Sequence, residues 1–242
     1  MIPAQTRLVG FYPSRPFWAV NRVNFDDVAG DRFHQQMVEE VFSKVERTHV
    51  IRICRDGRVM LGIDTLDREN PAAQQFSIEQ IVTRWGRYLD YLNTYYLLLD
   101  SSMIEVAKLG YFNLHELTNR DAFSVLFTDG VYAGENIAVE SIASVFQNGR
   151  YRTFYSPDLP IQFDSRITMR QVVSLGVLEH CASNFSLVMA MPGSEKVLAS
   201  FAKSLAEYKI GNLETAIVLC WFIIESELAS LWATHPALSR RQ

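Results

Sequence analysis

The 242-residue sequence has few of the residue patterns that mark a catalytic or metal-binding site. Its three cysteines, Cys54, Cys181 and Cys220, are odd in number and far apart, so their spacing fits neither a disulfide framework nor a zinc site. Each lies in an apolar run, and we expect all three to be buried thiols in a reducing compartment. The five histidines form no HExxH, HxH or CxxH pattern. The sequence therefore predicts no metal ion and no cofactor.

Phosphate-binding and nucleophile motifs are also missing. Neither GxGxxG nor a P-loop pattern occurs, which leaves no signature of a dinucleotide or nucleoside triphosphate site. There is no GxSxG motif, so the nucleophile elbow of an α/β-hydrolase is not indicated. His180 and Cys181 are neighbours on a predicted helix, where adjacent side chains do not face each other. We predict no catalytic residue, and an enzyme whose site carries no motif stays open.

Charge and targeting signals are weak. The net charge is −4, from 27 acidic and 23 basic residues, so the chain has no global basic field that would attract nucleic acid. The first residues lack the basic-then-apolar pattern of a signal peptide. The most apolar segment, from Thr215 to Trp232, contains Glu225 and Glu227, and carboxylates are costly in lipid. We expect this segment to be a buried helix in a cytoplasmic protein that makes no membrane contact.

Apolar residues make up 48% of the chain, which is enough to form a core, and their spacing divides it into elements. The clearest signal is Asp56-Gly57, which separates two apolar runs and predicts a β-hairpin with a two-residue type I′ turn. The arginines around this hairpin are expected to lie on a solvated sheet edge, where their charge opposes pairing with another strand; they are Arg52, Arg55 and Arg58. The proline- and aromatic-rich stretch before Gly30 is expected to be an extended strand or a docked arm. Further strands are expected in Leu126 to Tyr132 and in Arg150 to Tyr155.

Apolar residues at intervals of three and four predict the helices. They run from Asp31 to Arg47, Ile167 to Met191, Ser194 to Tyr208 and Leu213 to Trp232, and Ser77 to Lys108 is expected to be one long helix or two joined helices. Gly211 is expected at the left-handed position that follows a helix end. Strands thus concentrate in the first two thirds and helices in the last third. This segregation predicts an α+β protein, with an α+β domain at 1–165 and a helical region at 166–242.

Two short features could carry a binding or catalytic role. Near the Asn148-Gly149 turn, Arg150 and Arg152 could hold a phosphate and Tyr155 could stack on a base; the alternative is a basic hairpin face over buried aromatics. Glu225 lies in an apolar run, and a buried carboxylate needs a partner or a raised pKa. We expect it to be hydrogen-bonded to a neighbouring helix, to Tyr208 or an arginine, rather than to act as a catalytic acid.

The last two helices carry a family resemblance. They read Leu205-Ala-Glu-Tyr208-Lys-Ile-Gly211-Asn-Leu-Glu-Thr-Ala216 and then Trp221-Phe-Ile-Ile-Glu225-Ser-Glu-Leu228-Ala-Ser-Leu231-Trp232. This hairpin resembles that of HEPN-like proteins, a superfamily of bacterial ribonucleases from toxin and anti-phage systems and of non-catalytic dimerisation modules. The ribonucleases carry Arg-x4–6-His on a later helix, and no arginine of this chain has a histidine at that distance. No nuclease residue is therefore assigned.

Two functions are consistent with these observations. The first is an interaction or assembly protein whose C-terminal helices pair with a partner protein or a second copy through Tyr208, Trp221, Phe222, Glu225 and Trp232. The alternative is an RNA-binding or RNA-cleaving protein of a bacterial toxin or anti-phage defence system, which contacts RNA through Arg150, Arg152 and Tyr155. Because such a helical bundle normally continues, we expect either a longer chain or a surface on which the hairpin docks.

Overall fold

A computed structural model of the chain describes residues 5–23, 31–68, 78–119, 121–128, 131–136 and 170–234. The strands of this part are β1 (Gln5–Phe11), β2 (Phe17–Ala19), β3 (Glu40–Val45), β4 (His49–Cys54), β5 (Val59–Ile63), β6 (Ala122–Thr128), β7 (Val131–Asn136) and β8 (Gln171–Val173). Its helices are α1 (Asp31–Val38), α2 (Asp64–Arg68), α3 (Ile78–Ala107), α4 (Leu175–Met189), α5 (Ser194–Lys209) and α6 (Leu213–Thr234).

The centre of the fold is a six-stranded antiparallel sheet in the order β3-β4-β5-β1-β6-β7. Strands β2 and β8 form a separate parallel pair. Strands dominate the N-terminal part and three consecutive helices end the described chain. The predicted α+β class is confirmed.

The alternation of side chains along the strands produces two apolar clusters, one on each face of the sheet. On β5, Val59 and Leu61 belong to the main core while Met60 points to the smaller cluster. On β1, Phe11 belongs to the main core and Leu8 to the smaller cluster. Because both faces are buried there, Leu8 to Phe11 and Val59 to Ile63 read as nearly continuous apolar runs.

Helices α3 and α4 cover the main-core face. The Tyr95 ring of α3 meets the edge of the Phe185 ring of α4 at 5.3 Å between centroids. Leu178 and Phe185 from the predicted helical region lie in the same core as Phe11 and Leu61 from the predicted α+β domain. The predicted regions 1–165 and 166–242 thus share one core, onto which α5 packs through α3.

Two predicted helices begin or end at the wrong residue. The helix predicted from Asp31 to Arg47 ends at Val38, and Glu40–Val45 forms β3, an edge strand paired with β4. The helix predicted from Ile167 begins at Leu175, because 171–173 form β8 beside β2. Short apolar runs with β-branched residues fit both the helical and the strand period, and pairing with distant strands decides which one forms.

The predicted hairpin is present, but its turn differs. The Gly57 N–H donates to the Cys54 carbonyl at 3.0 Å, and the Cys54 N–H donates to the Arg58 carbonyl at 3.1 Å. Gly57 has φ 86° whereas Asp56 has no positive φ, so the loop has three residues, with a type I turn followed by a left-handed glycine. The type I′ prediction is wrong because Asp56 is held by the Arg58 N–H at 3.2 Å and by its guanidinium.

The arginines of this hairpin do not form a solvated edge. Arg58 is buried and pairs with the buried Asp56 at 2.6 Å. Arg52 pairs with Glu40 and Arg55 with Glu39, each at 2.6 Å. The prediction of a charged edge is wrong because β4 and β5 are interior strands of the sheet.

Candidate interaction surface

Helices α5 and α6 form a hairpin at the end of the described chain. Gly211 has φ 85°, as predicted for the position after a helix end, and α6 begins two residues later. Ser204 joins the two helices, because its hydroxyl donates to the Ala216 carbonyl at 2.9 Å and lies 3.0 Å from the Cys220 sulfur.

Polar contacts anchor α5 to α3 and so fix the position of the hairpin. The Lys209 ammonium donates to the Asp100 carboxylate at 2.8 Å. At the other end of α5, the Thr94 hydroxyl donates to the Glu195 carbonyl at 2.8 Å. Helix α6 packs against the side of α5 that faces away from α3.

Helix α6 is apolar and yet exposed. Ala216 is buried against α5, whereas every residue of 224–233 is exposed. Among the described helices, only the segment Leu213–Ala233 is long and apolar enough to cross a membrane. Of its most apolar 18-residue stretch, 6% is buried in the protein. The prediction that this helix is buried is wrong, since composition does not reveal that α5 covers one side alone.

One line of exposed apolar side chains runs along α6. We call it the α6 stripe, and it consists of Ile217, Trp221, Ile224, Leu228 and Leu231. These side chains are between 51% and 69% exposed. Their spacing of three and four residues places them on one face, whereas the helical periodicity places Glu225 and Glu227 on either side of that face.

An apolar groove lies between the two helices along the first half of the stripe. Its α5 wall contains Phe201, Leu205 and Tyr208, and its α6 wall runs from Leu213 to Ile224. The groove has a volume of about 620 Å³ and an almost entirely apolar lining. Such a surface is suited to the apolar face of another helix.

The structure places all five predicted interface residues on the hairpin as exposed side chains. Tyr208 and Trp221 line the groove, and Phe222 and Trp232 are exposed elsewhere on α6. Glu225 is also exposed, so the prediction of a buried, hydrogen-bonded carboxylate is wrong. The reason is that α6 turns this position away from α5, toward solvent.

A serine, a histidine and a glutamate meet between α3 and α4. The Ser102 hydroxyl lies 3.1 Å from His180 Nδ1, and His180 Nε2 lies 3.4 Å from a Glu105 oxygen. Ser102 is fully buried within α3, so this hydroxyl has no surface for a substrate to approach. The cluster joins two helices. Sequence reasoning missed it because His180 is 78 residues from Ser102 in the chain.

A second serine–histidine contact joins the β3–β4 turn to α4. The Ser186 hydroxyl donates to Glu46 at 2.7 Å and lies 3.4 Å from His49 Nε2. His49 is buried and its ring meets Phe185 edge-on at 5.2 Å. Burial lowers the pKa of His49, which favours the neutral ring. The shorter of the two contacts directs the serine hydroxyl to the Glu46 carboxylate rather than to the imidazole.

The three cysteines lie in different surroundings. Cys54 and Cys181 are buried as predicted, and burial raises the pKa of Cys181 to about 12, which keeps it an unreactive thiol. Cys220 is half-buried and lines the groove, so the prediction of a buried thiol does not hold there. Within the described residues no group of three or more histidine, cysteine, aspartate and glutamate side chains is placed to hold a metal ion.

The predicted RNA-contacting residues, Arg150, Arg152 and Tyr155, lie outside the described residues, as do the segment 137–169 and the tail 235–242. RNA binding stays a prediction. No family model, curated protein sequence or solved structure matches this chain. The resemblance to HEPN-like proteins stays a prediction as well, and a functional assignment rests on the α5–α6 hairpin.

Proposed function

We propose that this chain is an assembly protein that pairs with a second copy of itself through the α6 stripe. The observation that carries the proposal is the exposed apolar face that runs along the 22-residue helix α6. Water is a poor solvent for such a surface, and covering it is favourable by roughly 25 cal/mol for each Å² of apolar area.

The exposed area is large enough for a stable interface. Tyr208, Trp221 and Trp232 lie on or beside the stripe face and are each more than half exposed. At about 150–250 Å² per aromatic side chain, these three present roughly 260–440 Å², and the aliphatic residues of the stripe add to this. A standard interface takes about 800 Å² from each partner, whereas the largest apolar patch on a typical monomer is about 300–600 Å². The hairpin therefore reaches the size class of a docking surface.

A protein surface is a better cover for α6 than lipid. Glu225 and Glu227 lie in the second half of the helix, well inside Leu213–Ala233. A charged side chain near the centre of a spanning helix costs about 2.5 kcal/mol or more. In a pair of helices the same carboxylates flank the stripe and keep their contact with water.

A second copy is favoured as the partner because the hairpin carries two complementary features. A two-fold interface requires the same patch on both subunits to fit itself. Helix α6 supplies a projecting apolar stripe, and the α5–α6 groove supplies an apolar recess on the same face. Two such hairpins together form a four-helix bundle, a common arrangement of amphipathic helix pairs.

Light scattering coupled to size-exclusion chromatography tests the proposal with two charge-matched variants of α6. Ile224→Lys places a charge in the stripe, and Ser226→Lys places the same charge on an exposed position outside it. Wild type and Ser226→Lys should elute as dimers, and Ile224→Lys should elute as a monomer of unchanged helical content. A wild type that is monomeric at every concentration, or that dimerises equally well with either lysine, overturns the proposal. So does binding to neutral lipid vesicles by a wild type that does not dimerise.

A further inference from the structure

We infer that the groove of each copy is filled by the second half of α6 of the other copy, in an antiparallel pair whose two-fold axis passes near Ile224. This inference rests on the proposed self-association and specifies the segment that occupies the groove. Three observations on the hairpin support it.

The first observation is the unequal length of the two helices. Helix α5 has 16 residues and α6 has 22, so α6 extends about 9 Å past the start of α5 at 1.5 Å per residue. The groove lies along the first half of α6, from Leu213 to Ile224. Each residue of the second half, 224–233, is exposed. Each hairpin thus carries one recess beside the first half of α6 and one exposed second half, of which about 9 Å extends past α5.

The second observation is the spacing of the stripe. Ile217, Ile224 and Leu231 follow one another at intervals of seven residues, which is the period of paired helices. The set is symmetric about Ile224. When a second α6 lies antiparallel with Ile224 at the axis, Ile217 of one copy meets Leu231 of the second copy, and the projecting half enters the groove.

The third observation concerns the apolar area that antiparallel and parallel pairs of α6 would bury. Glu225 and Glu227 flank the stripe, so neither direction places a charge in the centre of the contact. In a parallel pair, however, the first half of α6 meets the first half of the second copy, which already has α5 beside it, so no exposed second half enters either groove. An antiparallel pair covers the grooves and the projecting halves together, which buries more apolar area from the same residues.

Cysteine cross-linking tests the direction of pairing in the full chain. The background is Cys220→Ala, because Cys54 and Cys181 are buried and Cys220 lines the groove. On mild oxidation, Ile224→Cys and the double variant Ile217→Cys with Leu231→Cys should form covalent dimers. The matched single variants, Ile217→Cys and Leu231→Cys, should stay uncrosslinked while light scattering still shows dimers.

Spin labels give a second measurement that needs no bond between the copies. In the antiparallel pair, labels at 217 in the two copies are about 21 Å farther apart along the helix axis than labels at 224. Equal label separations at both positions, or a covalent dimer of Ile217→Cys alone, identify a parallel pair and overturn this inference while leaving self-association intact. A dimer with no cross-link at 217, 224 or 231 and long label distances places the contact elsewhere and also overturns it. A monomeric wild type overturns self-association itself.

Discussion

The substitution Lys209→Met removes the cation that faces Asp100 where the end of α5 meets α3. The Asp100 side chain is 4% exposed, and one of its oxygens accepts from Lys209 at 2.8 Å. The other oxygen, Oδ1, is buried and has no hydrogen-bond partner within the described residues. Methionine keeps most of the apolar length of the lysine stem, so the main change is a buried carboxylate that has lost its counter-charge.

The expected cost is about 2–3 kcal/mol of unfolding free energy. Removing one member of a fully buried ion pair costs about 3–5 kcal/mol, and the lower range applies because the Lys209 side chain is 31% exposed and water already screens part of the attraction. The matched control is Lys203→Met on the same helix. Lys203 pairs with Glu116 at 3.1 Å, but both side chains are more than 40% exposed, so this change should cost about 1 kcal/mol or less.

Urea unfolding at one fixed protein concentration measures both variants, because association would otherwise shift the apparent stability. The double variant Asp100→Asn with Lys209→Met removes the stranded charge and should be more stable than Lys209→Met alone. The reasoning is refuted if Lys209→Met costs no more than Lys203→Met, or if the double variant is no more stable than the single one.

Further predictions concern helix ends and pH. Lys108 follows the end of α3 with φ 54°, so Lys108→Gly should raise the unfolding free energy by about 0.5–1 kcal/mol. Gly211 has φ 85°, so Gly211→Ala should lower the unfolding free energy. Urea unfolding that shifts both variants in the same direction would contradict this. The pKa of His49 is lowered from 6.5 by burial, so the unfolded chain takes up this proton at a higher pH than the folded one. Stability should therefore fall as the pH drops below about 6.5, and His49→Gln should lose less stability over that range than wild type; equal losses by thermal unfolding would contradict the assignment.

Much of the fold follows from local signals in the sequence. Asp56-Gly57 between two apolar runs predicts the β4–β5 hairpin, and apolar residues at intervals of three and four predict the long helix α3. Gly211 predicts the break between α5 and α6. Each of these features depends on residues within one or two turns of chain, which is the range over which backbone preference and side-chain period act.

The features that sequence reasoning missed depend on distant partners. Strand β8 exists because β2 lies beside it, and β3 exists because β4 pairs with it, although their apolar spacing also suits a helix. The same limit applies to α6: its apolar residues predict a helix, but not that α5 covers one side and leaves Glu225 and the stripe exposed. Ser102 and His180 meet only because α3 and α4 pack side by side.

Sedimentation equilibrium of the wild-type chain tests the central claim most directly. If α6 pairs with a second copy, the weight-average mass should rise with concentration from that of one chain to that of two, and should stop there because a two-fold interface is closed. Ile224→Lys should remain at the mass of one chain over the same range. A wild type that stays at the mass of one chain at the highest concentration, with its apolar helix still folded, would contradict the account.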